Sequence, residues 1–326
     1  MAFRTVEITG PAELHVKNGT LVIEKEIENT EGSKSEKSRA AVKRKRTRQP
    51  ETLRYMIPLE DISTIVCMGA ELRISTMAMA RICQSKITMA MLDEKYRTAG
   101  LLTPYEANVR QSLTMRRQVY MEKNRADCLW RQIVKRKILN QAATLEFLGL
   151  QGAESVRKYA ENMSGNGEID TVEAGAAREY FAVLCPDMNR REESPMNSRL
   201  NYGYSIIRNS LIRAVIAAGL LPSFGIHHQN LYNAYNLADD LIEPFRPCVD
   251  IIAYSMEGSE TSLAREECKQ LASVLQHAVN MDKQKISVLQ AVDRIVNGYR
   301  NYIMEENEYI CLPELLPAEI IRQIKE

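Results

Sequence analysis

Residues 108–147, NVRQSLTMRRQVYMEKNRADCLWRQIVKRKILNQAATLEF, contain neither glycine nor proline. Within this stretch Leu129, Ile133, the Arg136–Lys137 pair and Asn140 recur at the spacing of one helix face. The stretch therefore predicts a long helix. It also marks the point along the chain where strand-like sequence gives way to helical sequence.

Before this helix the chain has the pattern of short strands. Residues 3–8 and 13–17 alternate between polar and apolar side chains, and Asn18-Gly19 supplies a hairpin turn before residues 21–23. Further strands are predicted at residues 56–59, 62–67 and 87–92, with a short helix at 77–83. We therefore predict a β-rich N-terminal domain over residues 1–104.

After this helix the apolar residues keep helical spacing almost to the end of the chain. Helices are predicted at residues 171–184, 195–220, 236–256, 262–279, 284–304 and 317–325. The sequence therefore predicts an α+β protein in which a larger, all-helical domain over residues 105–326 follows the β-rich domain.

The composition indicates a soluble protein of the cytoplasm. Hydrophobic residues make up 45% of the 326 residues, and no apolar run approaches the roughly 20 residues that span a bilayer. The N-terminus lacks the apolar block of a signal peptide. The seven cysteines are scattered without a Cys-x-x-Cys pair, which favours free thiols over disulfides or a zinc site.

The net charge of +1 hides an uneven distribution. Residues 34–54 hold nine basic and two acidic residues, and residues 73–137 hold fourteen basic and five acidic residues. Residues 138–326 hold seventeen basic and twenty-six acidic residues. Because polyanions respond to local potential, the two basic runs favour DNA or RNA binding, although each alone also fits a solvated face. Residues 24–51 are polar and basic, which predicts a mobile insertion or a long hairpin tip.

Two of the four histidines, His227 and His228, are adjacent, and they precede acidic residues at Asp240 and Glu243. On one predicted helix those two acids face the same side. Glu173 is a third acid further upstream. One imidazole with two carboxylates suits Mg²⁺ or Mn²⁺ better than zinc. Taken singly, however, the residues also fit a surface histidine, a solvated helix face and a favourable charge at a helix N-terminus.

Four blocks of the sequence resemble the CRISPR-associated spacer integrase family, the larger of the two universal CRISPR adaptation proteins. They are EAGAAREYF at 173–181, PMNSRLNYGY at 195–204, GIHH at 225–228 and DLIEPFRP at 240–247. The segments FRTV at 3–6, KNGTLVI at 17–23 and KILNQ at 137–141 look most like the version found beside type II effector systems. One departure is Ala174, where the family usually has glycine.

The resemblance implies an N-terminal β-sandwich and a C-terminal helical bundle. It places the metal-binding and catalytic residues at Glu173, His228 and Glu243, with Asp240 close enough to assist. His227 is expected to point away from the site, and Asp239 to face solvent. The implied cofactor is Mg²⁺ or Mn²⁺.

The implied activity is DNA integration, in which the 3′-hydroxyl of a captured duplex, the prespacer, attacks a phosphodiester at the edge of a CRISPR repeat. Cleavage of branched DNA would use the same site. The implied partners are double-stranded DNA, a second copy of the chain and a small ferredoxin-like protein. In type II settings an effector nuclease and a ring-shaped accessory protein also take part. We expect residues 73–137 to supply the DNA-binding surface.

Two other functions fit the same residues. The chain would be a non-catalytic DNA-binding scaffold if its acids were only structural. It would be a stand-alone nuclease, or the integrase of a mobile element, if no repeat array and effector nuclease accompanied it. Strand transfer by site variants separates the first alternative, and the neighbouring genes separate the second.

The basic cluster Lys43–Arg46 gives a first prediction. Replacing all four cations by glutamine should weaken DNA binding and reduce its salt dependence, because fewer counterions are released on binding. The measurement is the dissociation constant at several salt concentrations. An unchanged salt slope would show that the cluster does not touch DNA.

Overall fold

The computed structural model describes residues 4–26, 52–68, 71–93, 98–104, 110–163, 169–186, 194–257 and 263–325. The chain divides into two compact units, Met1–Tyr105 and Glu106–Glu326. Strands fill most of the first unit and helices fill most of the second, so the predicted α+β class is confirmed.

The described residues of the first unit form two four-stranded sheets. One has the strand order β1-β5-β7-β8 and the other β4-β3-β2-β6. The elements are β1 (Arg4–Thr9), β2 (Ala12–Lys17), β3 (Thr20–Glu26), β4 (Thr52–Pro58), β5 (Ile62–Met68), β6 (Leu72–Ile74), α1 (Thr76–Gln84), β7 (Thr88–Leu92) and β8 (Thr98–Leu102). The Asn18-Gly19 turn joins β2 to β3 as the sequence predicts, and both of its residues have positive φ.

The apolar side chains of the two sheets share one core. Leu14 and Leu21 of one sheet are fully buried in the same cluster as Ile8 and Ile65 of the other, and Ile82 of α1 joins them. This is the arrangement that alternating strands produce when each sheet buries one face.

The predicted insertion at residues 24–51 lies mostly outside the described residues. Its first three residues end β3 and pair with β4, where Glu24 lies opposite Arg54 and Glu26 opposite Thr52. Residues 27–51, which include Lys43–Arg46, are outside the described part of the chain, and the predicted surface there stays a prediction.

The second unit is built around a 25-residue helix. Its helices are α2 (Gln111–Val119), α3 (Lys123–Phe147), α4 (Ala153–Glu161), α5 (Ile169–Leu184), α6 (Pro195–Ala217), α7 (Asn236–Leu241), α8 (Arg246–Tyr254), α9 (Arg265–Ala272), α10 (Val288–Ile303) and α11 (Pro317–Lys325). Helix α3 contacts α4, α5 and α8. The predicted helix over 108–147 is thus two helices, which separate after Val119.

The periodic face of α3 is buried as its spacing predicts, but it is not wholly apolar. Leu129 and Ile133 are fully buried, and Lys137 and Asn140 are buried on the same face. Buried polar groups need partners, so Lys137 and Asn140 point to specific polar contacts rather than to general packing.

The prediction of an all-helical second domain requires a correction. Strands β9 (Ala278–Met281), β10 (Gln284–Ser287) and β11 (Glu314–Leu315) form a three-stranded sheet. The predicted helix at 262–279 overlaps the first two residues of β9, and the predicted helix at 284–304 includes β10. Strand β9 pairs with β11, more than thirty residues away along the chain, and local periodicity cannot reveal such a partner. In the described part of the chain, no helix is both long and apolar enough to cross a bilayer.

Gly203 allows α6 to approach α8 closely. A Cβ atom built on Gly203 would lie 2.3 Å from Cγ1 of Val249. We predict that Gly203→Ala lowers the free energy of unfolding by about 1–3 kcal/mol, because the two helices must separate. Chemical denaturation measures this change.

Gly298→Ala in α10 is the matched control, since the nearest atom to its new Cβ would be 3.6 Å away. This change should be neutral or stabilising by up to about 1 kcal/mol, because alanine favours helix over glycine. Equal effects of the two substitutions would contradict the close packing of α6 on α8.

Candidate metal centre

The centre of the second unit holds one ammonium group between two carboxylates. Nζ of Lys137 lies 2.5 Å from Oε1 of Glu173 and 2.5 Å from Oε2 of Glu243. The three residues come from α3, from α5 and from the turn after α7. Two of the three predicted ligands therefore share one cation, although 70 residues separate them in the chain.

Glu243 is held in place by its own turn. It begins a 3-10 turn, Glu243–Phe245, which contains Pro244 and is followed directly by α8. Its carboxylate is 6% exposed and accepts a hydrogen bond of 2.8 Å from Nε of Arg246. Burial raises the pKa of Glu243, but the charges of Arg246 and Lys137 outweigh it and lower the pKa from 4.5 to about 2.

The lowered pKa fixes the charge of the site. Glu243 is ionised in the folded protein at neutral pH. Its contribution to stability is present above its ordinary pKa and is lost as the pH falls through the folded value.

The carboxylate oxygens fit a hard divalent cation. Oε2 of Glu243 is buried and lies 2.5 Å from Nζ of Lys137, so the ammonium balances its negative charge. A buried carboxylate oxygen that already faces a cation also suits a metal ion. Glu173 is the more accessible of the two acids, with a side chain that is 21% exposed.

The loop that carries His228 is anchored to Asp240. This fully buried carboxylate accepts hydrogen bonds from three consecutive backbone N–H groups, those of Ile226 at 2.5 Å, His227 at 3.0 Å and His228 at 3.2 Å. A Cβ on Gly225 would lie 2.4 Å from the carbonyl oxygen of His228 and 2.6 Å from Oδ2 of Asp240. The glycine therefore allows the loop to wrap around the carboxylate.

Asp240 also orients the imidazole. Nδ1 of His228 lies 2.5 Å from Oδ1 of Asp240, which leaves the lone pair of Nε2 for a ligand when the ring is neutral. This hydrogen bond is the largest cause of the raised pKa of His228, and the charges of Asp240, Glu243 and Asp239 add to it against partial burial. Asp240 thus acts through His228 and through the loop, and not as a third acid beside Lys137.

His227 and His228 diverge, as expected of neighbouring residues. Their rings are 5.5 Å apart and nearly perpendicular. The ring of His227 stacks on Trp130 at 4.5 Å, and its Nε2 lies 3.3 Å from Oδ1 of Asp170. Trp130 also meets His228 edge-on at 5.8 Å, so this buried indole of α3 supports both histidines.

Two expectations about Asp239, Asp240 and Glu243 are wrong. Asp239 does not simply face solvent, because it is half-buried and accepts hydrogen bonds from Arg208 and Asn233. Asp240 and Glu243 do not share one helix face. Helix α7 ends between them at Leu241, so Asp240 reaches the histidine loop while Glu243 reaches Lys137 and Arg246.

The three predicted ligands are not drawn into a closed metal cage. Their ligand atoms do not all lie within 4.8 Å of one another, and Lys137 lies between the two glutamates. The charge of Glu243 nevertheless reaches His228 and raises its pKa. In the described residues, the group that does meet this distance is Glu13, His15 and Glu24 in the first unit, where the side chains are largely exposed and Arg54 already contacts Glu24.

The sequence did not predict the two cations of the centre or the hydrogen bonds that link its helices. Lys137 lies both in the basic run and on the periodic face of the long helix, and a lysine at a buried position of a periodic helix is itself a signal. Arg246 lies in the DLIEPFRP block, but its contact with Glu243 was not predicted. Asp250 accepts hydrogen bonds from the hydroxyls of Tyr180 at 2.9 Å and Tyr204 at 2.5 Å, and so links α5, α6 and α8.

The basic run at residues 73–137 is partly neutralised by the acidic second half of the chain. Arg110 pairs with Glu306 at 3.7 Å, Arg117 with Glu305 at 2.8 Å and Arg136 with Glu314 at 3.0 Å. The described basic residues of this run that are exposed in α2 and α3 and form none of these three pairs are Arg116, Lys123 and Lys135. In the described part of the first unit, Arg73, Arg81 and Lys86 of the same run are also exposed, so the ion pairs remove only part of the expected DNA surface.

Comparison with known proteins points to one family. The family described as CRISPR associated protein Cas1 matches residues 7–262. A CRISPR-associated endonuclease Cas1 of Neisseria meningitidis is 30% identical over 271 residues, which cover 81% of this chain and 89% of that protein. One from Pyrobaculum aerophilum is 24% identical and covers 71% of this chain and 84% of that protein.

Solved structures share the fold. The chain superposes on a CAS1 protein from Thermotoga maritima with a TM-score of 0.58 and 17% identity, covering 95% of this chain and 98% of the other. A casposase bound to its integration product gives 0.60 and 20% identity, covering 95% and 97%. A partial Cas6-RT-Cas1–Cas2 complex gives 0.69 and 18% identity, covering 96% and 100%.

The anchoring role of Asp240 gives a prediction. Asp240→Asn should lower the pKa of His228, because the charged acceptor of its ring is lost. It should also destabilise the fold by about 1–3 kcal/mol, since an amide NH₂ would face backbone donors. Histidine NMR titration and denaturation measure the two effects.

The sign of the pH dependence follows from the raised pKa. The stability that the His228–Asp240 pair contributes is fully present below the ordinary histidine pKa of 6.5 and is lost as the pH rises through the raised value. Asp239→Asn is the control, because its charge acts on His228 only weakly. If the two variants lowered the pKa equally, the assigned role of Asp240 would be wrong.

Proposed function

This chain belongs to the Cas1 family of CRISPR-associated proteins, and on that premise we propose that it is a metal-dependent DNA integrase and endonuclease of CRISPR adaptation. The reaction is attack by the 3′-hydroxyl of a prespacer duplex on a phosphodiester at the edge of a CRISPR repeat. The observation that carries the proposal is the pair of carboxylates, Glu173 and Glu243, that share one cation inside a buried centre.

The residues divide the work of the reaction. Glu173 and Glu243 would hold Mg²⁺ or Mn²⁺, and Nε2 of His228 would complete the ligand set or take a proton. When bound, the cation supplies charge stabilisation to the phosphoryl oxygen and to the attacking or leaving oxygen. Asp240 keeps the imidazole in its tautomer, and Trp130 fixes its plane.

DNA binding in this proposal relies on cations outside the centre. Arg116, Lys123 and Lys135 are exposed on α2 and α3 and are available for sequence-independent phosphate contacts. The likeness to a casposase bound to an integration product supports DNA as the partner. The likeness to a Cas1–Cas2 complex supports a small partner protein. A homodimer is the expected form, with a type II effector nuclease and a ring-shaped accessory protein as further partners.

One other function has an observation in its favour. A casposase shares the fold over 95% of this chain, so an integrase of a mobile element would use the same centre. Genes beside the coding sequence distinguish the two, because adaptation requires a repeat array. In the scaffold alternative, Glu243 would serve only to balance the charges of Lys137 and Arg246.

Strand transfer tests the proposal directly. Glu173→Gln, His228→Ala and Glu243→Gln should each lower the rate of prespacer insertion into a repeat-bearing plasmid by about 100-fold or more with Mn²⁺ and the small partner. The loss of a ligand exceeds the 10- to 100-fold cost of losing a group behind a ligand. DNA affinity should stay within a few-fold, because phosphate contacts dominate it.

Glu154→Gln is the matched control for the glutamates. Its side chain is 69% exposed on α4 and pairs only with other surface groups. This variant should insert DNA at the rate of the unaltered protein. Full activity in both Glu173→Gln and His228→Ala would leave the scaffold alternative as the better description.

A further inference from the structure

We propose that Lys137 is a movable internal cation, which holds the metal position while no metal is bound and contacts the scissile phosphate once a metal has entered. The proposal rests on the proposed function and adds a catalytic residue to it. Lys137 is inside the centre and belongs to α3, whereas the predicted ligands come from other elements.

The side chain of Lys137 lies inside the centre, between the two glutamates. It is 10% exposed, and its ammonium is 2.5 Å from an oxygen of each glutamate. The ammonium therefore fills the gap between the two expected ligands.

The distances leave no room for both the ammonium and a metal between the two facing oxygens. Carboxylate oxygens bind Mg²⁺ at about 2.0–2.1 Å, and a cation bound to both Oε1 of Glu173 and Oε2 of Glu243 would lie in the gap that the ammonium occupies. Two cations in one gap would also repel each other strongly at low dielectric. Lys137 must therefore withdraw from the glutamates when the metal binds, and its flexible four-carbon stem permits that movement.

The charge of the centre changes when a metal binds. The four side chains in direct ionic contact, those of Lys137, Arg246, Glu173 and Glu243, sum to zero. A divalent cation would make this cluster more positive by two charges than it is without metal, which favours the approach of an anion although the carboxylates of Asp240 and Asp250 act on groups of the same centre. The anion available in the reaction is the phosphodiester. Once Lys137 has left the glutamates, its three N–H donors can bind the non-bridging oxygens of the phosphodiester.

This arrangement predicts a split between metal binding and catalysis. In Lys137→Met the metal no longer displaces an ammonium, and the glutamates lose their internal counter-ion. Binding of Mn²⁺ alone, measured by calorimetry or electron paramagnetic resonance without DNA, should tighten by about tenfold. Strand transfer at saturating Mn²⁺ should nonetheless fall by about tenfold or more, because the phosphate contact is lost.

Thermal unfolding supplies a reading that does not depend on activity. In EDTA the Lys137→Met variant should melt below the unaltered protein, because two acids then face each other. Added Mn²⁺ should raise its melting temperature by more than it raises that of the unaltered protein. Lys135→Met is the matched control, since it is exposed two residues away on the same helix, and it should leave Mn²⁺ affinity unchanged.

The unaltered protein gives a test that no folding defect can obscure. A buried, ion-paired lysine ammonium gives an NMR signal that can be assigned by its loss in Lys137→Arg. Saturating Mg²⁺ should shift this signal strongly, and a DNA duplex added afterwards should shift it again. If Mg²⁺ binds and the signal does not move, Lys137 does not leave the glutamates and the proposal is wrong.

The other outcomes show whether the role of Lys137 is wrong or the proposed function itself is wrong. Weaker or equal Mn²⁺ binding in Lys137→Met, or undiminished strand transfer, refutes the role of Lys137 while the integrase assignment stands. Absence of both Mn²⁺ binding and strand transfer in the unaltered protein refutes the assignment itself, and the proposal with it.

Discussion

The second unit depends on the contact of one ammonium with two carboxylates. Glu173 and Glu243 come from elements that lie far apart in the sequence, and two acids held this close together repel each other unless a cation lies between them. Lys137 supplies that cation from the middle of α3, and Arg246 adds a second one on the far side of Glu243. The fold thus builds a metal-type site in advance and keeps it charge-balanced with its own side chains.

Around this contact, two buried aspartates fix what must not move. Asp240 accepts three backbone hydrogen bonds and one from an imidazole, and so ties the histidine loop to α7. Asp250 accepts hydrogen bonds from two tyrosines on different helices. Both acids accept hydrogen bonds from groups that the fold holds in place, whereas Oε2 of Glu243 faces the ammonium of a flexible lysine side chain. An acid tied to fixed donors is structural, whereas one that faces a movable cation is a candidate metal ligand.

The sequence predicted the helical and strand-rich halves because their periodicities are local properties of the chain. It also pointed to Glu173, His228 and Glu243, chiefly because they lie in blocks that resemble a known family. The geometry of Asp240 was not predictable, since a three-residue spacing implies one helix face only if the helix continues, and Pro244 helps to end it. Lys137 was obscured by the basic residues beside it, and β9 by the distance to its partner β11.

Asn140 lies one turn of α3 beyond Lys137, and its buried amide joins three separate segments. Its Nδ2 donates to the carbonyl oxygens of Pro244 at 2.8 Å and Pro313 at 3.0 Å, and its Oδ1 accepts from the backbone of Leu315 at 3.2 Å. The turn that carries Glu243 is thereby clamped to the C-terminal tail. A chain shortened after Cys311 would lose two of these three bonds and the strand β11, so truncation far from the acids in sequence would loosen the turn that positions one of them.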